Sequence, residues 1–184
     1  MIDHSRKLLF VHIARTGGTS IETALVGKDW WKIEPKTKHI TATDARALYG
    51  ETVWNTYTTF SVIRNPWDRV ISMWATKWWH QGSGLDEDCS FEEFIRKMRP
   101  HPNEKYNTLL YHKILDQPIN FILRFETLQD DFDRMLKTVG TDNVPLPWIA
   151  KGKHKHYTAM YGETEKQLVA EKFSVDISQF GYSF

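Results

Sequence analysis

Short apolar runs alternate with amphipathic stretches along this chain. Strand-like runs extend from about Lys7 to His12, from Tyr57 to Ile63 and from Phe121 to Leu123. Each run is shorter than a usual helix, and the middle one is rich in β-branched and aromatic residues. We therefore expect three buried strands, each followed by a helix.

Capping residues predict where the helices begin. Thr19 and Glu22, three residues apart, form a capping box, and Asn65 followed by Pro66 suits an N-cap and a first helical position. Similar signals predict further helices: one that begins after Thr41 and ends at Gly50, one that begins at Ser90, one from Thr127 to Gly140 and one from about Thr164 to Phe173.

The helix after Pro66 has one apolar face. Its apolar residues recur at spacings of three and four, and they are Trp67, Val70, Ile71, Trp74 and Trp78. This spacing puts them on one side of a helix, where we expect them to pack against the core. Arg69 and Ser72 share another side, which can meet a ligand.

The order of these elements predicts the fold class. Strands that alternate with helices imply an α/β fold in which helices flank a mostly parallel sheet in three layers, as in P-loop proteins. A length of 184 residues suits one domain, which we expect to span residues 1–184. In such folds ligands lie at the carboxyl ends of strands, so the segments directly after strands are the first candidates for a site.

Composition and charge narrow the classes of partner. A formal net charge of +1 provides no broad basic field for nucleic acid or acidic membranes. The single cysteine, Cys89, cannot form an internal disulfide, and no stretch approaches the roughly 20 apolar residues of a membrane helix. His154 and His156 lack further spaced ligands, so we predict no metal. We expect a cytoplasmic protein, monomeric or homodimeric, that binds neither nucleic acid nor membranes.

The segment Ala14–Ser20 follows the first predicted strand and contains Gly17 and Gly18. Glycines let the backbone approach an anion, and the free amides of a new helix point towards it. Four side chains of the segment add hydrogen-bond donors: Arg15, Thr16, Thr19 and Ser20. An ordinary tight turn before a capped helix is the alternative. A triphosphate-binding loop would have Lys after the last glycine, where this chain has Thr19, so ATP and GTP are disfavoured.

The segment Arg64–Ser72 follows the second predicted strand. Arg64 stands at the strand end, and Arg69 and Ser72 come one and two helical turns further on. Surface salt bridges are the alternative explanation of the two arginines. The pairing of this segment with the first one weighs against that alternative and implies a second anionic group on the ligand.

Several ordered motifs resemble the sulfotransferases that use 3'-phosphoadenosine 5'-phosphosulfate (PAPS), especially the branch with carbohydrate O-sulfotransferases. Residues 12–20 (HIARTGGTS) are similar to the family's loop for the 5'-phosphosulfate, and residues 64–72 (RNPWDRVIS) to its 3'-phosphate segment. Residues 124–128 (RFETL) and 176–182 (DISQFGY) extend the likeness over nearly the whole chain. The resemblance implies sulfuryl transfer to a hydroxyl or amine of a small-molecule or carbohydrate acceptor, with 3'-phosphoadenosine 5'-phosphate (PAP) as product.

The resemblance also implies roles for individual residues. Arg64 and Ser72 would bind the 3'-phosphate, with Arg69 as a further nucleotide-binding candidate, and residues 15–20 would hold the 5' end. Lys153 lies in a basic run that resembles, in its placement, a late loop that closes over the nucleotide. A merely solvated run of charges is the alternative.

One departure from the family concerns Ala14 and Arg15, which stand where the family usually has Pro-Lys. In the family, that lysine neutralises charge on the leaving phosphate. Arg15 can do so with a bidentate fork, but it stays protonated and cannot donate a proton. A non-catalytic 3'-phosphonucleotide-binding protein is therefore an alternative function, and an ATP-dependent phosphotransferase is a more distant one.

Sulfuryl transfer also needs a base that takes the proton of the acceptor. We predict His39 as this base, because carbohydrate sulfotransferases often carry theirs between the two binding segments. A surface histidine before a helix is the alternative. Trp31, Trp79 and His80 are candidates to stack against the acceptor, since both tryptophans fall outside the helical spacing.

Overall fold

The computed structural model describes residues 1–147, 149 and 156–184. Within these residues the sheet has four strands: β1 (Ile2–Asp3), β2 (Leu8–Val11), β3 (Thr58–Ile63) and β4 (Phe121–Arg124). Their order in the sheet follows the chain, with β1 antiparallel to β2 and with β2, β3 and β4 parallel. The predicted α/β class and mostly parallel sheet are confirmed, whereas β1 was not predicted.

Helices connect and flank these strands. The α-helices of the described residues are α1 (Gly18–Val26), α2 (Ala42–Thr56), α3 (Pro66–Trp74), α4 (Lys77–Gly82), α5 (Phe91–Lys97), α6 (Tyr111–Ile114), α7 (Leu128–Thr138), α8 (Glu163–Lys172) and α9 (Ser174–Phe180). Short 3-10 turns lie at Trp30–Lys32, Pro35–Thr37, Phe125–Thr127 and Tyr157–Met160. The helices expected from the sequence are present, and α4, α6 and α9 are additions.

The core has a layer of helices on each face of the sheet. Leu8 and Phe10 of β2 pack in one apolar cluster with α1 and α7. Leu9 and Val11 point to the opposite face and pack with α2 and α6. A third cluster joins α3, α5 and α8. The alternation along β2 is what buries the strand on both faces.

Most of the predicted helix starts are confirmed in atomic detail. The side chains of Thr41, Asn65 and Ser90 accept hydrogen bonds from backbone amides in the first turns of α2, α3 and α5, at 3.0, 3.0 and 3.1 Å. The helix break expected at Gly50 is present, and a second helical stretch of α2 follows it. Gly50 adopts a φ of 83° and kinks the helix, which then continues to Thr56.

The capping box predicted at the start of α1 is wrong. The N-cap is Gly17, with a φ of 86°, and no side chain caps this helix. Glu22 is fully buried and accepts hydrogen bonds from His12 Nδ1 at 2.6 Å and Lys38 Nζ at 2.9 Å. Partners distant in sequence thus replace the local cap.

The start of α1 lies directly against the end of β2. A Cβ atom placed on Gly18 would lie 2.2 Å from Nε2 and 2.3 Å from Cδ2 of His12. No real Cβ tolerates such distances, and the His12 ring is fixed by its bond to Glu22. Glycine is therefore required for the close approach of helix and strand.

We predict that Gly18→Ala lowers the free energy of unfolding by about 1–3 kcal/mol, because the added methyl group overpacks a rigid contact. Urea unfolding followed by circular dichroism measures this loss. Gly162→Ala is the matched control, since its Cβ would approach only the flexible end of Glu165, at 2.6 Å. Equal stability of the two variants would show that the contact is not tight.

Candidate active site

A cleft of about 850 Å³ opens where the parallel strands end. Its walls come from the segments that follow β2, β3 and β4, as expected for an α/β sheet. The residues that line it are His12, Arg15, Gly17, Gly18, Thr19, Ser20, Arg64, Asp68, Ser72, Phe125, Glu126, Thr127, Leu128, Gln129, Asp130, Leu146, Pro147, Ile149, His156 and Tyr157. We call this cavity the nucleotide cleft, after the ligand expected from the sequence.

The two predicted binding segments touch each other in this cleft. Arg15 donates from Nε and Nη2 to Ser72 Oγ, at 3.0 and 2.8 Å. Arg64 donates from Nη1 to the carbonyl oxygen of Arg15 at 3.3 Å, and its Nε pairs with Asp68 at 2.7 Å. Residues expected to bind opposite ends of one ligand are thus in direct contact.

Backbone geometry directs the start of α1 towards the cleft. Arg15 has a φ of 67° and Gly17 a φ of 86°, so the chain turns sharply before the helix. The first amides of a helix have no acceptor one turn earlier and can bind an anion. No acidic residue occupies the first turn of α1 to compete for that position.

The charges in the cleft favour an anionic ligand. Burial, followed by the charges of Arg64 and Arg69, lowers the pKa of Arg15 to about 10. Arg15 therefore stays protonated at neutral pH while its neighbours repel it. An anion placed beside Arg15 and Arg64 would relieve this repulsion.

Two predicted nucleotide-binding side chains do not line the cleft. Arg69 is fully buried and donates to the carbonyl oxygens of Ala14 at 3.0 Å and Leu109 at 2.6 Å. Thr16 is also fully buried, and its hydroxyl donates to the carbonyl oxygen of Ile13 at 2.8 Å. Both side chains donate to backbone carbonyl oxygens and do not line the cleft, so their assignment as ligand contacts is corrected.

Lys153, predicted to close over the nucleotide, lies outside the described residues, as does His154.

The segment after β4 forms a wall of the cleft that was not predicted from the sequence. The Arg64 guanidinium lies 4.1 Å from the centre of the Phe125 ring. Glu126 Oε1 accepts the backbone amide of Asn65 at 2.5 Å, which ties this segment to the start of α3. The position of both residues directly after a strand was the available signal, because the same rule had identified the other two segments.

His39 is buried, with 7% of its surface exposed, so the alternative of a surface histidine is excluded. Its Nδ1 lies 3.0 Å from the carbonyl oxygen of His12. A carbonyl only accepts, so Nδ1 carries the proton and Nε2 carries the lone pair. Burial and the neighbouring His12 lower the pKa of His39 well below its usual value, which keeps the ring neutral at pH 7.

His39 does not line the nucleotide cleft but a second cavity of about 320 Å³. The residues of this second cavity are Trp31, His39, Trp78, His101, Asn103 and Glu104. The His12 ring, which lines the nucleotide cleft, has its centre 4.6 Å from that of His39. The two cavities therefore lie on either side of a pair of histidines.

The predicted acceptor residues are partly corrected. Trp31 lines the second cavity, but Trp79 is fully buried and donates from Nε1 to the carbonyl oxygen of Arg99 at 3.1 Å. His80 is also buried. Trp78, expected in the core, is 44% exposed and lines the cavity instead. The helix breaks between α3 and α4, so the spacing read from α3 does not extend to these residues.

A buried network of charges supports both histidines. Glu22 contacts His12 and Lys38, and Lys38 Nζ also contacts Asp29 at 2.6 Å. Burial alone would raise the pKa of Glu22, but the contacts with His12 and Lys38 lower it to about 2. Glu22 is therefore ionised in the folded protein over the whole neutral range.

The described residues contain neither a membrane-spanning helix nor a cluster of metal ligands. None of their helices has the length and apolar composition needed to cross a membrane. No three His, Cys, Asp or Glu side chains among them cluster in a way that could hold a metal ion.

A parallel α/β sheet with an anion-binding cleft at its strand ends is typical of proteins that bind phosphorylated ligands. The comparison with protein families gives a more specific result, since the model described as "Sulfotransferase family" matches residues 1–183. The chain therefore belongs to the sulfotransferase family, which supports sulfuryl transfer as its general activity. No curated protein and no solved structure matched in the other two comparisons.

We predict that Glu22→Gln lowers the free energy of unfolding at pH 7 by about 3 kcal/mol, because it removes a buried charge from its partners. The depressed pKa of Glu22 stabilises the fold above the unfolded value of about 4.5, and this contribution is lost as the pH falls towards 2. Urea unfolding between pH 7 and 3 should show the difference between variant and parent shrinking below pH 4.5.

Glu51→Gln is the control, since Glu51 forms an exposed ion pair with Arg46. It should change stability far less than Glu22→Gln does, because solvent screens an exposed ion pair. A loss of stability on Glu22→Gln that does not depend on pH would contradict the role given to the carboxylate.

Proposed function

We propose that this protein transfers a sulfuryl group from PAPS to a hydroxyl or amine of an acceptor and releases PAP. Membership of the sulfotransferase family supports the type of reaction. The observation that carries the choice of donor is the contact of Arg15 with Ser72 and Arg64 beside the start of α1. That arrangement suits one ligand with two separated anionic groups.

The described residues fit the nucleotide in size and in charge. A volume of about 850 Å³ lies within the usual range of small-ligand sites. Ser72 and Arg64 would receive the 3'-phosphate, and Arg15 together with the amides of Gly18 and Thr19 would receive the 5' end. The donor would supply the sulfuryl group and a good leaving group.

His39 is the proposed base. Its Nε2 would take the proton of the acceptor hydroxyl as the acceptor oxygen bonds to sulfur. The bond from sulfur to the 5'-phosphate oxygen breaks, and its electron pair leaves with that oxygen. The amides at the start of α1 and the charge of Arg15 would stabilise the negative charge that develops there.

The setting and the acceptor are parts of the same proposal. Carbohydrate is the acceptor class suggested by the motifs that resemble carbohydrate O-sulfotransferases. A cytoplasmic location agrees with the free thiol of Cys89. We propose a monomer or homodimer that acts without nucleic acid, membrane or metal.

A second candidate function is that of a 3'-phosphonucleotide-binding protein without transfer activity. One observation favours it: the Arg15 guanidinium is directed to Ser72, whereas the family lysine acts on the leaving phosphate. Under this alternative, nucleotide binding would be intact and no acceptor would be sulfated.

We predict that PAP raises the melting temperature more than ADP does at equal concentration, because only PAP places a phosphate at Arg64 and Ser72. Arg64→Ala should weaken PAP binding about 30-fold or more, in line with a lost bond between charged groups. Thermal-shift titration checks both results. Arg46→Ala, which removes an exposed arginine with no part in the cleft, is the control. Equal responses to PAP and ADP would refute the proposed donor.

We predict that His39→Ala lowers kcat at least 100-fold with little change in PAP binding, because general-base catalysis contributes about 10²–10⁴-fold. Transfer of radiolabelled sulfate from PAPS to a panel of acceptors measures kcat. His4→Ala is the control, since His4 is exposed and lines neither cavity. Full activity of His39→Ala would move the base to another group, and absence of transfer by the parent would favour the second candidate function.

A further inference from the structure

The second cavity has the properties of a ligand site, although it shares no lining residue with the nucleotide cleft. Its volume of about 320 Å³ suits one small ring. Its walls come from three parts of the chain: the 3-10 turn Trp30–Lys32, helix α4 and the turn at residues 101–104. His39 adds a fourth side, and the backbone amide of Lys105 donates to the His39 carbonyl oxygen at 2.8 Å.

Two tryptophans expose large aromatic surfaces at this cavity. Trp31 is 37% exposed and Trp78 is 44% exposed, whereas the neighbouring Trp79 is fully buried. Exposed tryptophan is costly in water and is common where one face must contact a ligand. The Trp31 ring lies 5.6 Å from His39 and the Trp78 ring 4.7 Å from His101, so both rings are held by neighbours.

The polar part of the cavity is formed by the turn at residues 101–104. Its conformation is fixed by bonds from the Asn103 amide to His101 Nδ1 at 3.2 Å and from the Glu104 amide to the His101 carbonyl oxygen at 2.8 Å. Oε2 of Glu104 is shielded from solvent and has no hydrogen-bond partner among the described residues. A carboxylate in such a position is costly, and a protonated carboxyl group is less so.

The titratable groups that line the cavity have pKa values shifted towards their uncharged forms. Burial lowers the pKa of both His39 and His101. Burial raises the pKa of Glu104 to about 8, against the opposing charge of Arg69 and the bonds with His101 and Tyr106. Lys38, whose Nζ lies 5.7 Å from the centre of the Trp31 ring, is neutralised by Glu22 and Asp29.

The chemistry of this lining distinguishes among acceptor classes. An anionic acceptor would need a free cation, and no lining residue supplies one. An ammonium group would favour an ionised Glu104, but a protonated amine cannot attack sulfur. A flat apolar phenol would leave Asn103, His101 and Glu104 without partners, and that costs free energy. A ring with several hydroxyl groups satisfies both the aromatic and the polar walls.

We propose that the second cavity binds the acceptor and that this acceptor is an uncharged polyhydroxylated ring, stacked on Trp31 and Trp78 and hydrogen-bonded by Glu104. This inference rests on the proposed sulfuryl transfer and adds the place and the charge of the acceptor. The hydroxyl that reacts is the one presented to Nε2 of His39.

Binding of methyl β-D-glucopyranoside tests the proposal without any need for turnover. Saturation-transfer NMR in the presence of PAP should detect binding of this glycoside at millimolar concentration. The corresponding uronic acid and 2-amino glycosides, which carry opposite charges, should bind at least tenfold more weakly. Trp31→Ala and Trp78→Ala should weaken glycoside binding at least tenfold, and Trp78→Phe should restore most of the loss.

Glu104 offers a sharper comparison between two substitutions. Glu104→Gln keeps a neutral hydrogen-bonding group and should change glycoside binding less than threefold, whereas Glu104→Ala should weaken it about tenfold. Leu48→Ala is a matched surface control, since Leu48 is exposed and lines neither cavity. The response of every variant to PAP should equal that of the parent, which shows that the fold is intact.

Several outcomes would overturn the inference. These are absence of glycoside binding at about 50 mM, stronger binding of the uronic acid, the amino glycoside or phenol, unchanged binding in both tryptophan→Ala variants, and equal losses in Glu104→Gln and Glu104→Ala. The PAP response separates the two proposals. A normal PAP response without glycoside binding refutes only the acceptor site, whereas glycoside binding with equal responses to PAP and ADP refutes only the donor.

Discussion

The carboxylate of Glu22 holds together the parts of the molecule that form both cavities. One of its oxygens accepts from His12 at the end of β2, and the other accepts from Lys38 Nζ and the Trp30 amide. His12 lines the nucleotide cleft, while Lys38 and Trp30 each directly precede a residue that lines the second cavity. A single buried anion therefore positions the candidate base relative to the turn before α1, and its burial is tolerated only because each oxygen is paired.

The two cavities differ in electrostatic character although they lie close together. Burial in the nucleotide cleft, together with the charges of Arg64 and Arg69, lowers the pKa of Arg15, so the cleft favours an anionic ligand. The second cavity shifts its acidic and basic groups towards their neutral forms. This contrast suits a reaction in which a multiply charged donor meets an uncharged nucleophile, because water and stray anions gain little in the neutral cavity.

Features that depend on neighbours in sequence could be predicted, and features that depend on distant partners could not. The cap at Asn65 and the position of the cleft at the strand ends follow from local sequence patterns. The structure confirms both predictions. Glu22 fits a capping box locally, yet His12 and Lys38 bind it from other elements. Helical spacing predicted that Arg69 faces a ligand, but its side chain is buried and donates to backbone carbonyl oxygens. Helical periodicity cannot reveal such partners, since it carries no information on what lies opposite a face.

Ala14 and Arg15, which stand where the family usually has Pro-Lys, alter how the turn is anchored and leave its charge the same. The Ala14 amide donates to Tyr106 Oη at 2.8 Å, and its carbonyl oxygen accepts from Arg69 Nε at 3.0 Å. A proline, which the family usually has here, lacks the first of these donors. Tyr106 lies two residues after Glu104, so the turn that carries Arg15 is fastened to the segment that lines the second cavity. Alanine thus allows a hydrogen bond that joins the turn beside one cavity to the segment beside the other. The same turn carries Arg15, whose guanidinium donates to Ser72.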